Sequence, residues 1–285
     1  MADTMITSDG RSLSERFLTE AELMEKCPLA FKVEPTNHGV SSKYVQATTI
    51  DVVRDMAKLN WFPVQAKQCR AKRGSKGIRS FHMISFQNPD IRVKNGDETE
   101  AYPQIILTNS HDGFNSFKFM VGLFRLVCSN GLILADAEYA NLSIRHINYT
   151  MDEFRAMINN VLEVLPNKIE ALNDMKATTL TVEQQMEFAE NAIRAKKGIQ
   201  NGEKFNITKD EIMGILEPVR DEDDGNSLWA TFNVIQEKLI KGGYTLFNGK
   251  KDRKQRGITS IKKDIEINSK LYELANSYVS QRVSA

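Results

Sequence analysis

Hydrophobic periodicity changes once along this chain, at Thr150, and that change limits what it can fold into. Before Thr150, apolar residues fall in short β-prone runs separated by Gly, Asn and Asp turns. After it they recur at helical spacing behind capping sequences: Thr150-x-x-Glu153, Thr181-x-x-Gln184 and Thr208-x-x-Glu211. Such segregation predicts an α+β protein. An antiparallel sheet with helices is expected over 1–148, and an all-α domain or extension over 149–285. With 41% hydrophobic residues, the 285-residue chain can bury a sizeable core.

Taken in order, residues 15–26 read as a helix stopped by Pro28, and 31–33 and 43–48 as short strands. Thr48 or Thr49 caps a helix that Asn60 ends. Trp61 opens an extended basic run, a Gly74–Gly77 turn follows, and 78–86 reads as the returning strand. Asn95-Gly96-Asp97 is a turn leading to an acidic loop. The stretch 102–146 is the centre of the sheet, with strand 105–107, a hairpin turn at Asp112-Gly113, and a long strand 114–128 bulged at Gly122. Asn130-Gly131 then turns the chain toward a short strand at 142–147. In the helical half, Pro166 predicts a kink and Gly198 a C-cap. Residues 221–224 form an acidic surface loop, and 242–257 a Gly/Lys-rich loop before a last helix over 258–279.

Several function classes are disfavoured. A formal net charge of +1 means that only local patches argue for nucleic acid. No apolar run approaches the roughly 18–20 residues that span a bilayer. The N-terminal MADTMITSDGRSLSERF, with acids and no apolar core, does not read as a signal peptide. Cys27, Cys69 and Cys128 show no metal-ligand spacing or disulfide framework, which points to a reducing cytosol. Neither a phosphate-binding GxxxxGK[ST] loop nor a GxGxxG is present, and no cofactor is expected.

The local patches are more informative. Lys67, Arg70, Lys72, Arg73, Lys76 and Arg79 run along a predicted hairpin and its tip without an intervening acid. They suit a phosphate backbone, with Trp61 placed to stack on a base. A solvated hairpin whose charges discourage edge pairing is the competing account. A second cluster, Lys250, Lys251 and Arg253, followed by Lys254 and Arg256, lies in the later loop. Arg125 interrupts an apolar run and needs a partner or a ligand, and Arg145 and His146 end a short strand. A buried structural ion pair fits these slightly better than phosphate contact does. Ser110, His111 and Asp112 are consecutive in a turn, where side chains diverge, so they do not make a hydrolytic triad. Cys128, with His146 as its base, ends an apolar strand, which favours a buried, inert thiol.

Asn109 and His111-Asp112-Gly113, then Arg125-Leu126-Val127-Cys128-Ser129-Asn130-Gly131, then Ile144-Arg145-His146 ahead of a helix, resemble the phage/plasmid-like protein family built on domain of unknown function 932. Leu228-Trp229 and Asn233 on one helix, a basic loop and a last helix extend the likeness over most of 40–285. It implies a role in mobile-element biology in a bacterial host. Residues 49–87, in the order helix, Asn-Trp, basic strand, Gly loop and returning strand, are similar in pattern to Rad52-like single-strand annealing proteins. That likeness implies a curved sheet holding single-stranded DNA, and a homo-oligomeric ring or filament. The leading expectation is therefore a cytoplasmic single-stranded DNA-binding protein of a phage or plasmid, acting in recombination or annealing and not an enzyme. The alternative is a counter-defence or regulatory protein that binds a host protein. An enzyme would need Asn109, Asp112, Arg125, Cys128 and His146 to converge in one pocket.

Overall fold

The structure is a computed structural model that describes residues 17–32, 48–69, 81–95, 98–110, 117–125, 131–134, 143–144, 150–200, 202–247 and 249–283. The chain divides into two compact units, Met1–Leu165 and Pro166–Ala285.

In the first unit, helix α1 (Glu20–Lys26) begins at a reciprocal cap. The Thr19 hydroxyl accepts from the Glu22 N–H, and the Glu22 carboxylate accepts from the Thr19 N–H at 2.8 Å. A 3₁₀ turn, Pro28–Phe31, follows, so Phe31 closes a helical turn and does not open the expected strand. Helix α2 (Thr49–Lys58) starts at its Thr48 cap and buries Ile50, Val52, Val53 and Met56. Asn60, at φ 64°, turns the chain through the left-handed region, which Asn tolerates better than most residues. The turn brings the Trp61 N–H onto the Met56 carbonyl at 3.0 Å and drives the indole into the core.

Strands β1 (Phe62–Gln68), β2 (His82–Gln87), β3 (Val93–Asn95), β4 (Glu98–Asn109), β5 (Phe117–Arg125), β6 (Gly131–Leu134) and β7 (Ser143–Ile144) form an antiparallel sheet in the order β1-β2-β4-β5-β6. β3 pairs with β4, and β7 with β5. Asn95 pairs with Glu98, so the expected acidic loop is in fact the start of β4. β4 and β5 stay in register from Ala101↔Arg125 to Thr108↔Lys118, and Gly122 lies directly opposite Gln104 without the expected bulge. Irregularities fall instead between Val93 and Lys94 on β3 and between Pro63 and Gln65 on edge strand β1, where a proline has no N–H to give the ladder. All six residues of β2 are buried. His82, Ile84 and Phe86 share one face with Asn109, Leu107 and Ile105. Met83, Ser85 and Gln87 share the other with Thr108, Ile106 and Gln104.

Helix α3 (Met151–Ala177) continues through Pro166, where the two units divide. In the second unit, α4 (Val182–Lys197) has the Thr181/Gln184 capping box and ends at Gly198, φ 74°. α5 (Lys209–Leu216) has the Thr208/Glu211 box, and α6 (Leu228–Lys241) is capped by Ser227. α7 (Ile261–Val283) closes the chain. α4 packs on α5, α6 and α7 around Phe188, Ile193, Ile215, Phe232, Ile235, Leu271 and Tyr272. The acidic run is not all surface: Asp223 is 2% exposed and bonded to Arg220 at 2.9 Å. Among the described residues, no helix is long and apolar enough to cross a membrane.

Where the sequence predicts a Gly/Lys-rich loop, the chain forms a β-hairpin, β8 (Gly242–Phe247) with β9 (Asp252–Arg256). Its root is set by two glycines back to back. A methyl at Gly257 would sit 2.5 Å from the Lys241 carbonyl oxygen, and one at Gly242 would sit 2.5 Å from the Gly257 nitrogen. Gly257→Ala is therefore expected to lower the unfolding free energy by about 2–4 kcal/mol in urea denaturation, as backbone has to move to admit the methyl. Gly214→Ala in α5 meets nothing within 4 Å and is expected to raise it by about 0.5–1 kcal/mol.

Candidate nucleic-acid interface

Strand register sets two lysines near one end of the sheet. Lys67 pairs with Met83, Met83 with Thr108, and Thr108 with Lys118, so the four lie in one row on one face. Met83 and Thr108 are buried in the middle, and Lys67 and Lys118 are exposed at either side. Three interstrand steps separate the two lysines, about 14 Å between backbones. The chain leaves the described strands at this same end three times. Cys69 and Phe81, joined by an N–H···O bond of 2.9 Å, bracket residues 70–80. Ser110 precedes 111–116, and Ile144, paired with Phe117, precedes 145–149.

Beneath this end, on the opposite face, lies a buried polar cluster. The Asn109 amide donates to the Thr49 hydroxyl at 2.9 Å, and that hydroxyl contacts the His82 Nε2 at 2.8 Å. The Asn109 side-chain oxygen accepts from the Ser110 N–H at 2.7 Å. Thr49, Asn109 and Ser110 are fully buried and His82 almost so. The first residue of α2 is thus bonded to neighbouring strands β2 and β4 near the ends of those strands. The polar groups satisfy one another and hold backbone; they offer no exposed nucleophile.

The second basic surface is the β8–β9 hairpin, with Lys250, Lys251, Arg253, Lys254 and Arg256 all exposed. Lys196 of α4 anchors it. Its ammonium donates to the Leu239 carbonyl at 2.7 Å and the Arg256 carbonyl at 3.2 Å, and lies 5.1 Å from the centre of the Tyr244 ring. One cation therefore ties the last turn of α6 to both strands of the hairpin. Phe247, at the tip and 53% exposed, is a residue that the sequence reading passed over. Its only signal there was its place among glycines and lysines.

The expected site residues fare differently. Arg70, Lys72, Arg73, Lys76, Arg79, Arg145 and His146 lie outside the described residues, as do Asp112 and Cys128. Trp61 is corrected: at 2% exposure its ring packs in the core and presents no face to a base. Arg125 ends β5 opposite Ala101, eight residues from Phe117 and so about 27 Å along the strand. A groove taking in both Arg125 and Ile144 would have to run the length of β5, and Asn109 and Arg125 are not brought into one pocket. Burial pushes the Cys27 thiol up to about 11, which keeps it protonated and unreactive. Among the described residues, no group of His, Cys, Asp and Glu is placed to hold a metal ion.

Burial, with repulsion from Lys197, pulls the Lys196 ammonium down to about 8 from 10.5. Between those values the unfolded chain binds more protons than the folded one, so this group makes stability rise with pH from about 8 to 10.5, and leaves it flat below 8. Burial of Cys27, raised to about 11, acts in the opposite sense above its ordinary value of 9. The Lys196 contribution is therefore read from the difference between wild type and Lys196→Met in urea unfolding at several pH values. The difference is expected to grow in favour of wild type across that window; a flat difference would mean that the amine is not desolvated.

The family model described as Domain of unknown function (DUF932) matches residues 38–269. Over 269 residues, the chain is 29% identical to UPF0380 protein YafZ of Escherichia coli (strain K12), covering 94% of this chain and 93% of that protein. It is 28% identical, over the same length and shares, to UPF0380 protein YfjQ of the same strain. No solved structure matches the chain. The matched span takes in both the sheet and most of the helical unit, and the chain belongs to the family of the domain of unknown function 932.

Proposed function

We propose that this protein binds single-stranded DNA in the cytoplasm of a bacterial host, as a phage- or plasmid-type protein working in recombination or strand annealing as a homo-oligomer. The observation that carries the reading is the row Lys67–Met83–Thr108–Lys118. It sets two exposed lysines on one sheet face, at the end where the chain departs into the Arg/Lys-bearing segments 70–80 and 145–149. Phosphate contact by such groups releases counterions, so affinity falls with salt. No step in this reading needs a cofactor.

A second reading, binding of a host protein for counter-defence or regulation, is favoured by one feature of the helical unit. Val182, Met213 and Val219 are 53%, 43% and 63% exposed. Val182 and Met213 line a cleft of about 510 Å³ with Leu216, Pro218 and Val234, and Val219 follows Pro218 directly. Apolar exposure grouped in this way suits a protein partner.

Binding of a labelled single strand across a salt series separates the two. Wild type is expected to bind at low salt with a negative slope of log affinity on log salt. Lys67→Gln with Lys118→Gln is expected to reduce the steepness by about 1.4, at about 0.7 per lost phosphate contact. No binding by wild type at low salt would sink the DNA reading. An unchanged slope in the double variant would remove the sheet end from it.

A further inference from the structure

Solvent exposure is arranged unusually on the β8–β9 hairpin. Tyr244 and Leu246 point inward and are buried, whereas Thr245 and Phe247 are exposed on the other face of β8. Thr245 pairs with Lys254 and Phe247 with Asp252, so these four side chains share the outer face, with Lys254 the diagonal neighbour of the ring. Among the aromatic residues whose side-chain exposure is described, Phe247 is the one that is exposed. A single exposed ring is ordinary on its own. Here it sits within a segment, 242–257, that carries five cations and one acid, in a chain whose net charge is only +1.

The ring is also held in place. Its backbone N–H donates to the Glu211 carboxylate at the start of α5. Glu211 is partly buried, which opposes ionisation, but bonds from Thr208 and Phe247 more than offset this and hold its carboxyl below the usual range. At the other end, the Gly242/Gly257 contact and the Lys196 ammonium fix the root. A ring presented on a braced ribbon loses little freedom when it binds.

We infer that the β8–β9 hairpin is a second contact for single-stranded nucleic acid, in which Phe247 stacks on an unpaired base while Lys254 and Arg256, on the same strand face, hold the flanking phosphates. This rests on the DNA-binding reading above and adds its strand selectivity. Cations bind the phosphates of duplex and single strand alike, but only an unpaired strand offers a free base face to a ring. Phe247 takes the role that Trp61, being buried, cannot fill.

The test uses the full chain, a labelled thymidine 20-mer and a duplex of the same length. Phe247→Ala is expected to weaken single-strand binding by about 5- to 150-fold, with the salt slope unchanged, and to leave duplex binding as it was. Phe247→Trp is expected to bind at least as tightly as wild type, and Phe247→Leu to behave like alanine. Lys254→Gln with Arg256→Gln is expected to lower the steepness of the salt slope by about 1.4. Photocrosslinking of an iodouracil-bearing strand is expected to map to residue 247. The proposal is overturned if wild type binds the single strand but Phe247→Ala binds within twofold of it, or if the loss is equal on duplex. In either case the sheet-end reading stands if the Lys67/Lys118 variant still loses its slope. Absence of any binding by wild type would remove both.

Discussion

Everything assigned to the sheet end depends on the register of β2, β4 and β5. A slip of one residue would invert every side chain, sending Lys118 to the face occupied by Leu107 and Phe119. Two features oppose such a slip. Both faces of β2 are buried, so no register exposes only polar groups. The Thr49 hydroxyl, fixed at the start of α2, bonds His82 and Asn109, which lie directly opposite each other. Shifting either strand would leave buried polar groups unpaired, at about 1–3 kcal/mol each. The helix start thus acts as a gauge for the pairing.

The helical unit uses polar groups in a similar way. Arg220 bonds both Asp223 and Glu237, and Glu237 also accepts from Lys241, which ties the 3₁₀ turn at Asp221–Asp223 to α6. Gln236 of α6 donates to Asn268 of α7 at 3.0 Å, and Asn268 in turn donates to Asp264 at 2.8 Å. Apolar packing among these helices tolerates sliding by small amounts; paired amides and carboxylates do not. These contacts specify one alignment more than they add to stability.

Helix starts were readable in the sequence because they are local: the Thr181/Gln184 and Thr208/Glu211 boxes close within one turn, and no distant residue can overrule them. The β8–β9 hairpin was not. Its second strand, Asp-Arg-Lys-Gln-Arg, has neither β-branched residues nor an apolar face, and it becomes a strand only because the two glycines and Lys196 hold it against β8. An aromatic at a strand start suits exposure and burial alike; the left-handed turn at Asn60 decides it for Trp61. Glu98 to Glu100 looked like a solvated loop, yet pairing with β3 makes them strand. Of the candidate site, the cationic segments could be found from composition, whereas the Lys67–Lys118 row and the tip of Phe247 depend on pairings remote in sequence.

The glycine root of the hairpin has one more consequence. The closest backbone approaches are made at positions 242 and 257, whereas a methyl placed at Gly249 would meet nothing within 4 Å. Length and chemistry at the tip can therefore drift without renegotiation of the core beneath. A hairpin built this way keeps its root while its tip varies as an exchangeable cassette.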